Sequence, residues 1–443
     1  MKTCLLSLVL AAGFIAAAGR MDAAEVHVGP GKDFSRIEEA LARAQSGDTI
    51  LVHPQAGGAP YEKTAVFVAK SRITFKAVAG KPGDRVALSG TGFDYSGRGS
   101  VPRAIFQFNP GADGCVLEGF DLSDAHNESH NGAGVRINQA NDVTVRNCRI
   151  HANDMGIMSN GDGTARTATN QRIEGCLIHS NGNKAEPGYN HNLYLGGTSV
   201  TLIACEVHSS LTGHNVKSRA HQTTVIACYV HDSSNREFDL VDAKGDTTAP
   251  NSNAYLVGNV IVKASACEGN RAVIHFGQDG GNEHDGTITL IHNTIVTPFI
   301  SPVVSLDAPK ARANFLNNII WDAGSGQHGQ KLAEMGKAGK DAARGTGNWV
   351  SAGFAADASG LGWTRTVTAN RGEAPPFADS AHGDFHLAKT DPLIVDQGET
   401  LDRKLLETIG GKLYQYKSPQ GKEDRPARGK ADLGAYEFAP KGR

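Results

Sequence analysis

A short pattern of apolar and small residues recurs along the middle of the chain. Each copy begins with an apolar residue, has a cysteine, asparagine or glycine at its fourth position, and returns to apolar residues directly afterwards. The copies are rich in Val, Ile and Leu and are spaced 23 to 34 residues apart, which predicts one short buried strand region in each. The eight copies are VLEGFDL (from Val116), VRNCRIH (Val145), IEGCLIH (Ile173), LIACEVH (Leu202), VIACYVH (Val225), LVGNVIV (Leu256), LIHNTIV (Leu290) and FLNNIIW (Phe315).

This period predicts an all-β solenoid, because a chain that winds once per repeat can stack its strands in parallel, one coil on the next. Parallel crossovers are almost always right-handed, so we expect a right-handed parallel β-helix. A leucine-rich repeat is excluded by its missing leucine consensus, and a propeller by the shortness of the period.

Stacked coils place equivalent residues in columns. We expect the fourth positions to form an interior column, with an amide ladder at Asn259, Asn293 and Asn318. Gly119 and four cysteines precede them, and the cysteines are either a stack of free thiols or disulfides between coils. A histidine follows each of these cysteines by three residues, forming either a metal site or a simple side-chain ladder. The cysteines and histidines are Cys148, Cys176, Cys205, Cys228, His151, His179, His208 and His231.

The ends of a β-helix need covering, since an open end is a sheet edge. Residues Ser35 to Gln45 have apolar positions at helical spacing, with Ser35 and Glu38 in a capping-box arrangement, and predict an N-terminal capping helix. Residues 323–347 are rich in Gly, Lys and Ala and predict a loop or linker, and DLGAYEF near the C-terminus predicts a last strand. We therefore expect a β-helix over residues 25–325 and an irregular closing segment over residues 326–443.

The N-terminus predicts export. Residues 1–24 combine Lys2, an apolar stretch from Leu5 to Ala18 and small residues, as in a signal peptide, which predicts a secreted or periplasmic protein. No later stretch approaches the length of a membrane span, so we expect no membrane association after cleavage. The net charge of −2 argues against general nucleic-acid binding. We expect a monomer.

Two terminal segments resemble a known group of proteins. VHVGPGKDFSRIEEALARAQSGDTILV resembles the entry segment, and DPLIVDQGE with KADLGAYEF the closing segment, of right-handed parallel β-helix proteins of the pectate-lyase-like superfamily. The resemblance implies the same fold and a carbohydrate-directed role. It does not identify the reaction, because this superfamily contains lyases, hydrolases, epimerases and non-catalytic proteins.

A second strand precedes the recurrent pattern in each coil, and several of these strands carry ionisable residues. Its copies begin at Gly134, Gly156, Asn192, His214, Glu237, Ala272 and Val303. Alternation along three successive copies predicts one outward face, flanked by His191, His214 and Arg219 and walled by loops 181–190, 245–253 and 277–285. Such a cluster often marks a functional site, although a charge-balanced surface with Lys217 paired to Asp239 is the alternative. The residues predicted on this face are Asn192, Tyr194, Asn215, Lys217, Glu237 and Asp239.

These residue types suit elimination from a uronic acid sugar. The C5 proton becomes acidic when the adjacent carboxylate is neutralised, a base then removes it, and the leaving oxygen is protonated. We expect Lys217 to be the base, with its pKa lowered by Arg219 and burial, and Tyr194 or a histidine to be the acid. Arg219, Asn192 or a bound cation such as Ca²⁺ would neutralise the carboxylate, and Asp239 and Glu237 would orient the lysine or hold that cation.

The predicted catalytic set is therefore Lys217, Arg219, Tyr194, His214, His191 and Asp239, and the predicted substrate-binding set is Asn192, Asn215, Glu237, His275 and Arg136. The V-K-S segment at Lys217 also resembles the K-S strand of β-helix alginate and chondroitin lyases, in which the lysine is the base. The next coil departs from that family, carrying acids where the family has a basic residue. The favoured function is a polysaccharide lyase acting on an acidic glycan, and a glycoside hydrolase, a uronate epimerase and a glycan-binding protein stay open.

Overall fold

The computed structural model contains three long parallel sheets that wind as a β-helix. It describes residues 23–440 apart from residues 79, 82, 186–187, 243–249, 280–283, 300, 325–330, 359–360, 365–366, 370–373 and 428. The predicted signal peptide lies almost wholly outside these residues. No helix in the described part of the chain is long and apolar enough to cross a membrane.

Most coils contribute one strand to each sheet, and neighbouring coils pair in parallel. The first sheet contains Glu25–Val28, Thr49–Val52, Thr74–Ala77, Val116–Glu118, Thr144–Arg146, Gln171–Glu174, Ser199–Ile203, Gln222–Ile226, Ala254–Val257, Thr287–Ile291, Arg312–Leu316, Ala343–Thr346 and Trp363–Thr364. The second sheet contains Val86–Ser89, Phe120–Ser123, Arg149–His151, Leu177–His179, Glu206–His208, Tyr229–His231, Val260–Val262, Thr294–Thr297, Ile319–Asp322, Trp349–Ser351 and Val367–Ala369. The third sheet contains Val66–Val68, Ala104–Phe108, Ala133–Asn138, Met155–Asn160, Leu193–Leu195, Val216–Ser218, Phe238–Val241, Ile274–Gly277, Val304–Leu306 and Ala333–Glu334.

The predicted interior column lies at the corner between the first and second sheets. Its four cysteines are fully buried, and all the described cysteines are free thiols. Asn259, Asn293 and Asn318 form the predicted amide ladder, with Nδ2 to Oδ1 distances of 3.0 Å, and Asn348 extends it. The first copy was aligned one residue early, because the sheet registers place Phe120, not Gly119, in this column.

A turn residue with positive φ explains that misalignment. The residue before each interior position is left-handed, as at Asn147 (φ 55°) and Ala204 (φ 57°). Gly119 occupies this position in the first copy with φ 83°, a conformation that glycine adopts without steric cost.

The N-terminal end is covered by a helix, as predicted, but its cap differs. The helix spans Ile37–Arg43 and buries Ile37, Ala40 and Leu41 against the first coil, while Arg36 is the N-cap without a side-chain cap. The Ser35 hydroxyl instead donates to Glu39, 3.2 Å away, so the predicted capping box is wrong. The Glu38 carboxylate accepts from the backbone N–H of Ala65 at 2.9 Å and thereby ties the helix to the second coil.

The coils continue beyond residue 325. Strands at Ala333–Glu334 and Ala343–Thr346 pair with the preceding coil, so the linker predicted over residues 323–347 is wrong where the structure describes it. Its small residues are strand and turn positions of a further coil. A helix at Ala352–Ala358 then places Phe354 in the core at the C-terminal end.

The remaining chain runs back along the outside of the β-helix. Its described residues form a 3₁₀ turn at Ser380–His382 and a short helix at Arg403–Thr408. They also form antiparallel hairpins of Phe377–Asp379 with Asp384–Leu387 and of Tyr414–Lys417 with Gly421–Asp424. The DLGAYEF segment is buried but is not the predicted strand. Its backbone groups bond to scattered partners, such as Asn317 O and Thr294 Oγ1, rather than to one strand.

Candidate active site

An outward-facing column on the third sheet carries the ionisable residues. Strand register pairs Tyr194 with Lys217, Lys217 with Asp239, and Asp239 with His275. Inward-facing neighbours such as Val216 and Phe238 are fully buried in the core. Alternation along these strands therefore positions the column as the sequence predicts.

Three residues expected beside this column lie in the interior instead. Asn192, Asn215 and Glu237 are each fully buried. Asn192 donates to Asn215 at 2.8 Å, and Asn215 donates to Glu237 at 2.6 Å, forming a second ladder at the corner before the third sheet. They precede strands that are only three or four residues long, so alternation does not extend to them. Their assignment to substrate binding is wrong.

Lys217 lies between two carboxylates. Its Nζ is 3.0 Å from Asp239 Oδ2 and 2.7 Å from Asp279 Oδ2, and its side chain is only 13% exposed. Burial alone lowers the pKa of Lys217, but the attraction of Asp239 and Asp279 outweighs it and raises this pKa above the ordinary value of 10.5. The expected lowering of the lysine pKa is therefore wrong, and the amine is protonated at neutral pH.

Arg219 connects this lysine to the tyrosine. Its Nε donates to the Tyr194 hydroxyl oxygen at 3.1 Å, and its terminal nitrogens donate to Asp242 at 3.2 Å and Asp279 at 2.6 Å. Because the Tyr194 oxygen accepts this bond, its own proton remains available for another acceptor.

Neither Asp279 nor Asp242 was among the site residues predicted from the sequence. Asp279 follows the end of its strand, Ile274–Gly277, and Asp242 follows Phe238–Val241. The available signal was Asp242, an acid that directly follows the strand paired with the Lys217 strand. Period-two alternation gave no weight to it, because the chain turns there.

Asp239 is the central anion of the cluster. His275 Nδ1 lies 2.8 Å from its Oδ1, Arg236 3.3 Å from the same oxygen, and His214 Nε2 3.4 Å from its Oδ2. Burial alone raises the pKa of Asp239, but His214, His275 and Lys217 hold it well below its ordinary range. Asp239 is therefore a permanent carboxylate that orients Lys217.

His275 is a charged bridge between two acids. Its second nitrogen lies 3.0 Å from Asp307, and although burial opposes it, the bonds to Asp239 and Asp307 raise the pKa of His275 to about 9. Both ring nitrogens are thus engaged, which favours a supporting role over the predicted contact with substrate.

His191 and His214 are neutral supports at one wall of the site. Their rings stack with centroids 5.0 Å apart, and burial lowers the pKa of His214 to about 4 and that of His191 well below its ordinary value. His214 Nδ1 accepts from the Arg236 N–H at 3.2 Å, so its proton is on Nε2, facing Asp239. Neutral imidazoles here stabilise the geometry without adding positive charge.

Arg136 lies farther along the same column, two strands from Tyr194 through Met158. It donates to Asn160 at 3.1 Å, and its buried Nε has no hydrogen-bond partner among the described residues. Burial and the nearby Arg103 lower the pKa of Arg136. A partly exposed guanidinium beside another cation is a favourable position for an anionic group of a ligand.

These side chains border a cavity of about 630 Å³ that is open to solvent. Tyr194, Lys217, Arg219 and Asp279 are on its floor, and residues from the predicted wall at 181–190 form one side, including the 73% exposed Tyr189. The other two predicted walls lie partly outside the described residues. A larger cavity of about 780 Å³ elsewhere is bordered by charged residues that are largely solvent-exposed, such as Lys76, Lys81 and Asp84.

Comparison with known proteins identifies the fold. No protein-family model and no curated protein sequence matches the chain significantly. Among solved structures, the pectate lyase Pel9A aligns with a TM-score of 0.55 at 14% identity, over 95% of this chain and 98% of that one. XylC in complex with xylose aligns with a TM-score of 0.52 at 11% identity, over 94% and 99%. The chain therefore has the right-handed parallel β-helix fold, as the repeat predicts.

Proposed function

We propose that the protein is a carbohydrate-active enzyme, a polysaccharide lyase that cleaves a uronate-containing glycan by β-elimination. The observation that carries the proposal is the meeting of Tyr194, Lys217 and Arg219 on the floor of an open groove. The fold shared with a pectate lyase and with XylC, solved in complex with xylose, is consistent with a glycan ligand.

Elimination requires three tasks of these residues. A cation must offset the uronate carboxylate, a base must take the C5 proton, and an acid must protonate the leaving oxygen. The electrons of the C5–H bond form the C4–C5 double bond as the C4–O bond breaks, so no other reactant is needed. Arg219 and Arg136 suit the first task, Lys217 the second and Tyr194 the third.

Tyr194 suits the acid because Arg219 fixes its oxygen from one side. Its proton then points away from Arg219, and transfer to the leaving oxygen leaves a phenolate beside a guanidinium. The attraction between these two charges favours that transfer.

Lys217 suits the base only after it loses its proton. Because Asp239 and Asp279 raise its pKa, the basic form is scarce at neutral pH and grows about tenfold per pH unit below that pKa. The proposal therefore implies an enzyme whose rate increases into the alkaline range.

Hydrolysis is less well supported, because it needs a carboxyl group that is protonated at the working pH. In this cluster the pKa values of Asp239, Asp279 and Asp307 are all lowered, against the effect of burial, by lysine or histidine partners.

A calcium ion does not fit these residues as they stand. Asp239 and Asp279 are paired with Lys217, Asp242 with Arg219, and Asp307 with His275. Binding Ca²⁺ through these oxygens requires breaking those ion pairs, so no step is assigned to it.

The proposal is tested by incubating the protein with polygalacturonate, alginate, chondroitin and other acidic glycans. We expect one of them to give products with the ultraviolet absorbance of a conjugated double bond. New reducing ends without that absorbance would indicate hydrolysis, and intact chains in every case would contradict the assignment as a lyase.

Asp279→Asn is expected to shift the pH profile of kcat to lower pH by about one unit, the scale of one adjacent opposite charge. Asp279 stabilises protonated Lys217, so its loss lets the amine lose its proton at lower pH. Asp307→Asn is the matched control, because Asp307 bonds to His275 and not to Lys217. An unchanged profile in Asp279→Asn would contradict Lys217 as the titrating base.

A further inference from the structure

The outer face of the second sheet carries a column of stacked histidines. His151, His179, His208 and His231 lie on successive strands, with ring centroids 4.8 to 5.2 Å apart. This sheet is not the one that carries the groove. An acidic residue lies beside each end of the column, Asp121 at the His151 end and Glu206 at the His231 end, and the two acids differ in their partners.

At the first end the acid is already neutralised. Asp121 accepts from Arg149 Nε at 3.0 Å and contacts His151 Nε2 at 3.0 Å, so its charge is matched by an arginine. At the other end Glu206 forms no ion pair with any described lysine or arginine. Its nearest basic group is His231 Nε2, 3.5 Å from Oε1.

Glu206, His208 and His231 converge. One potential ligand atom from each lies within 4.8 Å of the others. His208 is directly opposite His231 across the strand pair, and Glu206 lies two residues before His208 on the same face. His231 Nε2 is buried, and among the described residues its one recorded partner is Glu206, in an ion pair that is too long to be a well-formed hydrogen bond, which is unusual for a buried polar atom.

The other polar atoms of the three side chains are held by neighbours. His231 Nδ1 pairs with Asp232 at 2.8 Å and His208 Nδ1 with the Ser209 hydroxyl at 2.9 Å. Glu206 Oε2 accepts from the Tyr416 hydroxyl at 3.1 Å and from Gln420 Nε2 at 2.7 Å. Outer partners of this kind, above all a carboxylate on the far nitrogen of a histidine, orient metal ligands in proteins.

We propose that Glu206, His208 and His231 bind a divalent transition-metal ion of the zinc class. Two imidazoles and one carboxylate match the preferences of Zn²⁺, whereas Ca²⁺ and Mg²⁺ prefer oxygen ligands alone. Binding brings the three ligand atoms closer together, so that each histidine nitrogen lies about 2.0 Å from the ion. A fourth position remains for water.

The ion links two coils that carry groove residues to the C-terminal hairpin. Glu206 and His208 lie in the coil that continues to Lys217, and His231 lies in the coil that continues to Asp239. Tyr416 and Gln420 come from the C-terminal hairpin region that packs on these strands. The metal therefore fastens the two coils of the site to each other and to the hairpin.

The test uses the full chain, free of an affinity tag and stripped with a chelator. We expect titration with Zn²⁺ alone to show one saturable site, and Co²⁺ to give the absorption bands of a nitrogen- and oxygen-bound ion. Glu206→Gln and His231→Asn should each weaken Zn²⁺ binding more than about 100-fold, beyond the 10- to 100-fold expected for the outer partner in Asp232→Asn.

His179→Asn is the matched control, since it removes a stacked ring from the same column and should leave affinity unchanged. Lys217→Ala should also bind Zn²⁺ normally, which separates this site from the proposed elimination. Circular dichroism establishes whether each variant is folded. If a ligand variant is not, Tyr416→Phe tests the site more mildly, because it removes only the hydroxyl that bonds to Glu206 and should weaken Zn²⁺ binding. Absence of saturable binding to the wild-type protein, or binding that survives in Glu206→Gln and His231→Asn, would overturn the proposal.

Discussion

Lys217→Ala is expected to lower the rate of elimination from a polyuronate about 100-fold or more, the scale of a missing general base. Lys217 lies between Tyr194 and Asp239 in the register of the third sheet, so a sugar that places its leaving oxygen at Tyr194 brings its C5 proton toward the amine. Lys217→Arg should fail as well, because a guanidinium does not lose its proton at ordinary pH. Initial rates of double-bond absorbance, measured across alkaline pH, provide the readout.

The fold should survive this change. Alternation suggested an exposed Lys217, but its side chain is mostly buried. Its removal still leaves Asp239 with His214, His275 and Arg236 as partners. Lys76→Ala is a suitable control, since Lys76 is an exposed strand lysine on the first sheet. Wild-type activity in Lys217→Ala, or a loss explained entirely by unfolding, would exclude this lysine as the base.

Lys263→Met is expected to have the largest effect on stability, a cost of about 3–5 kcal/mol in the free energy of unfolding. Lys263 and Glu237 are both fully buried, with Nζ 3.8 Å from Oε1, and Lys263 also donates to Asn235 O. Removing the lysine leaves a buried carboxylate whose remaining partners are neutral donors from Asn215 and Ser233. Urea unfolding followed by circular dichroism measures the difference.

The loss of stability caused by Lys263→Met should depend on pH through the protonation of Glu237. Burial raises the pKa of Glu237 to about 7 from 4.5, so between these values the folded chain binds a proton that the unfolded chain does not. This contribution to stability is present at low pH and is lost as pH rises through 7. Lys263→Met should therefore cost more at pH 8 than at pH 5, and adding Glu237→Gln should restore most of the stability. An equal cost at both pH values would contradict the buried pairing.

The fold was predictable because repeat periodicity is a property of many residues at once. Cys148, Cys176 and Asn293 each occupy the interior column that stacking predicts. The first copy was misplaced by one residue because Gly119 fills a turn that other coils fill with Asn147 or Ala204. Small residues at a turn and at an interior position look alike in a sequence.

The site was predictable only within strands. Tyr194, Lys217 and Asp239 follow alternation and meet as expected, whereas Asn215 and Glu237 lie just before their strands and turn inward. The lysine pKa was predicted in the wrong direction because Asp239 pairs directly with the amine, and because Asp279, a second acid on that amine, follows a strand end and was not foreseen. Contacts made by such residues depend on the three-dimensional path of the turn, which the hydrophobic pattern does not encode.

The C-terminal segment was the least predictable part. Its contacts with the coils span more than 200 residues of sequence, as between Tyr416 and Glu206. It packs on the outer face of the sheets, where apolar residues such as Ile203 and Ile226 had no assigned partner. A segment that packs through side chains, rather than by strand pairing, leaves no period to recognise.

The central claim, that the groove performs β-elimination, is tested most directly by mass spectrometry of the products of an active glycan in D₂O. We expect fragments that carry the conjugated double bond, each with a new non-reducing end lighter by one water than a hydrolytic fragment, and none of these products from Lys217→Ala. Fragments that have gained water would show a hydrolase. Uncleaved chains that take up deuterium at C5 would show an epimerase, and either result would contradict the account.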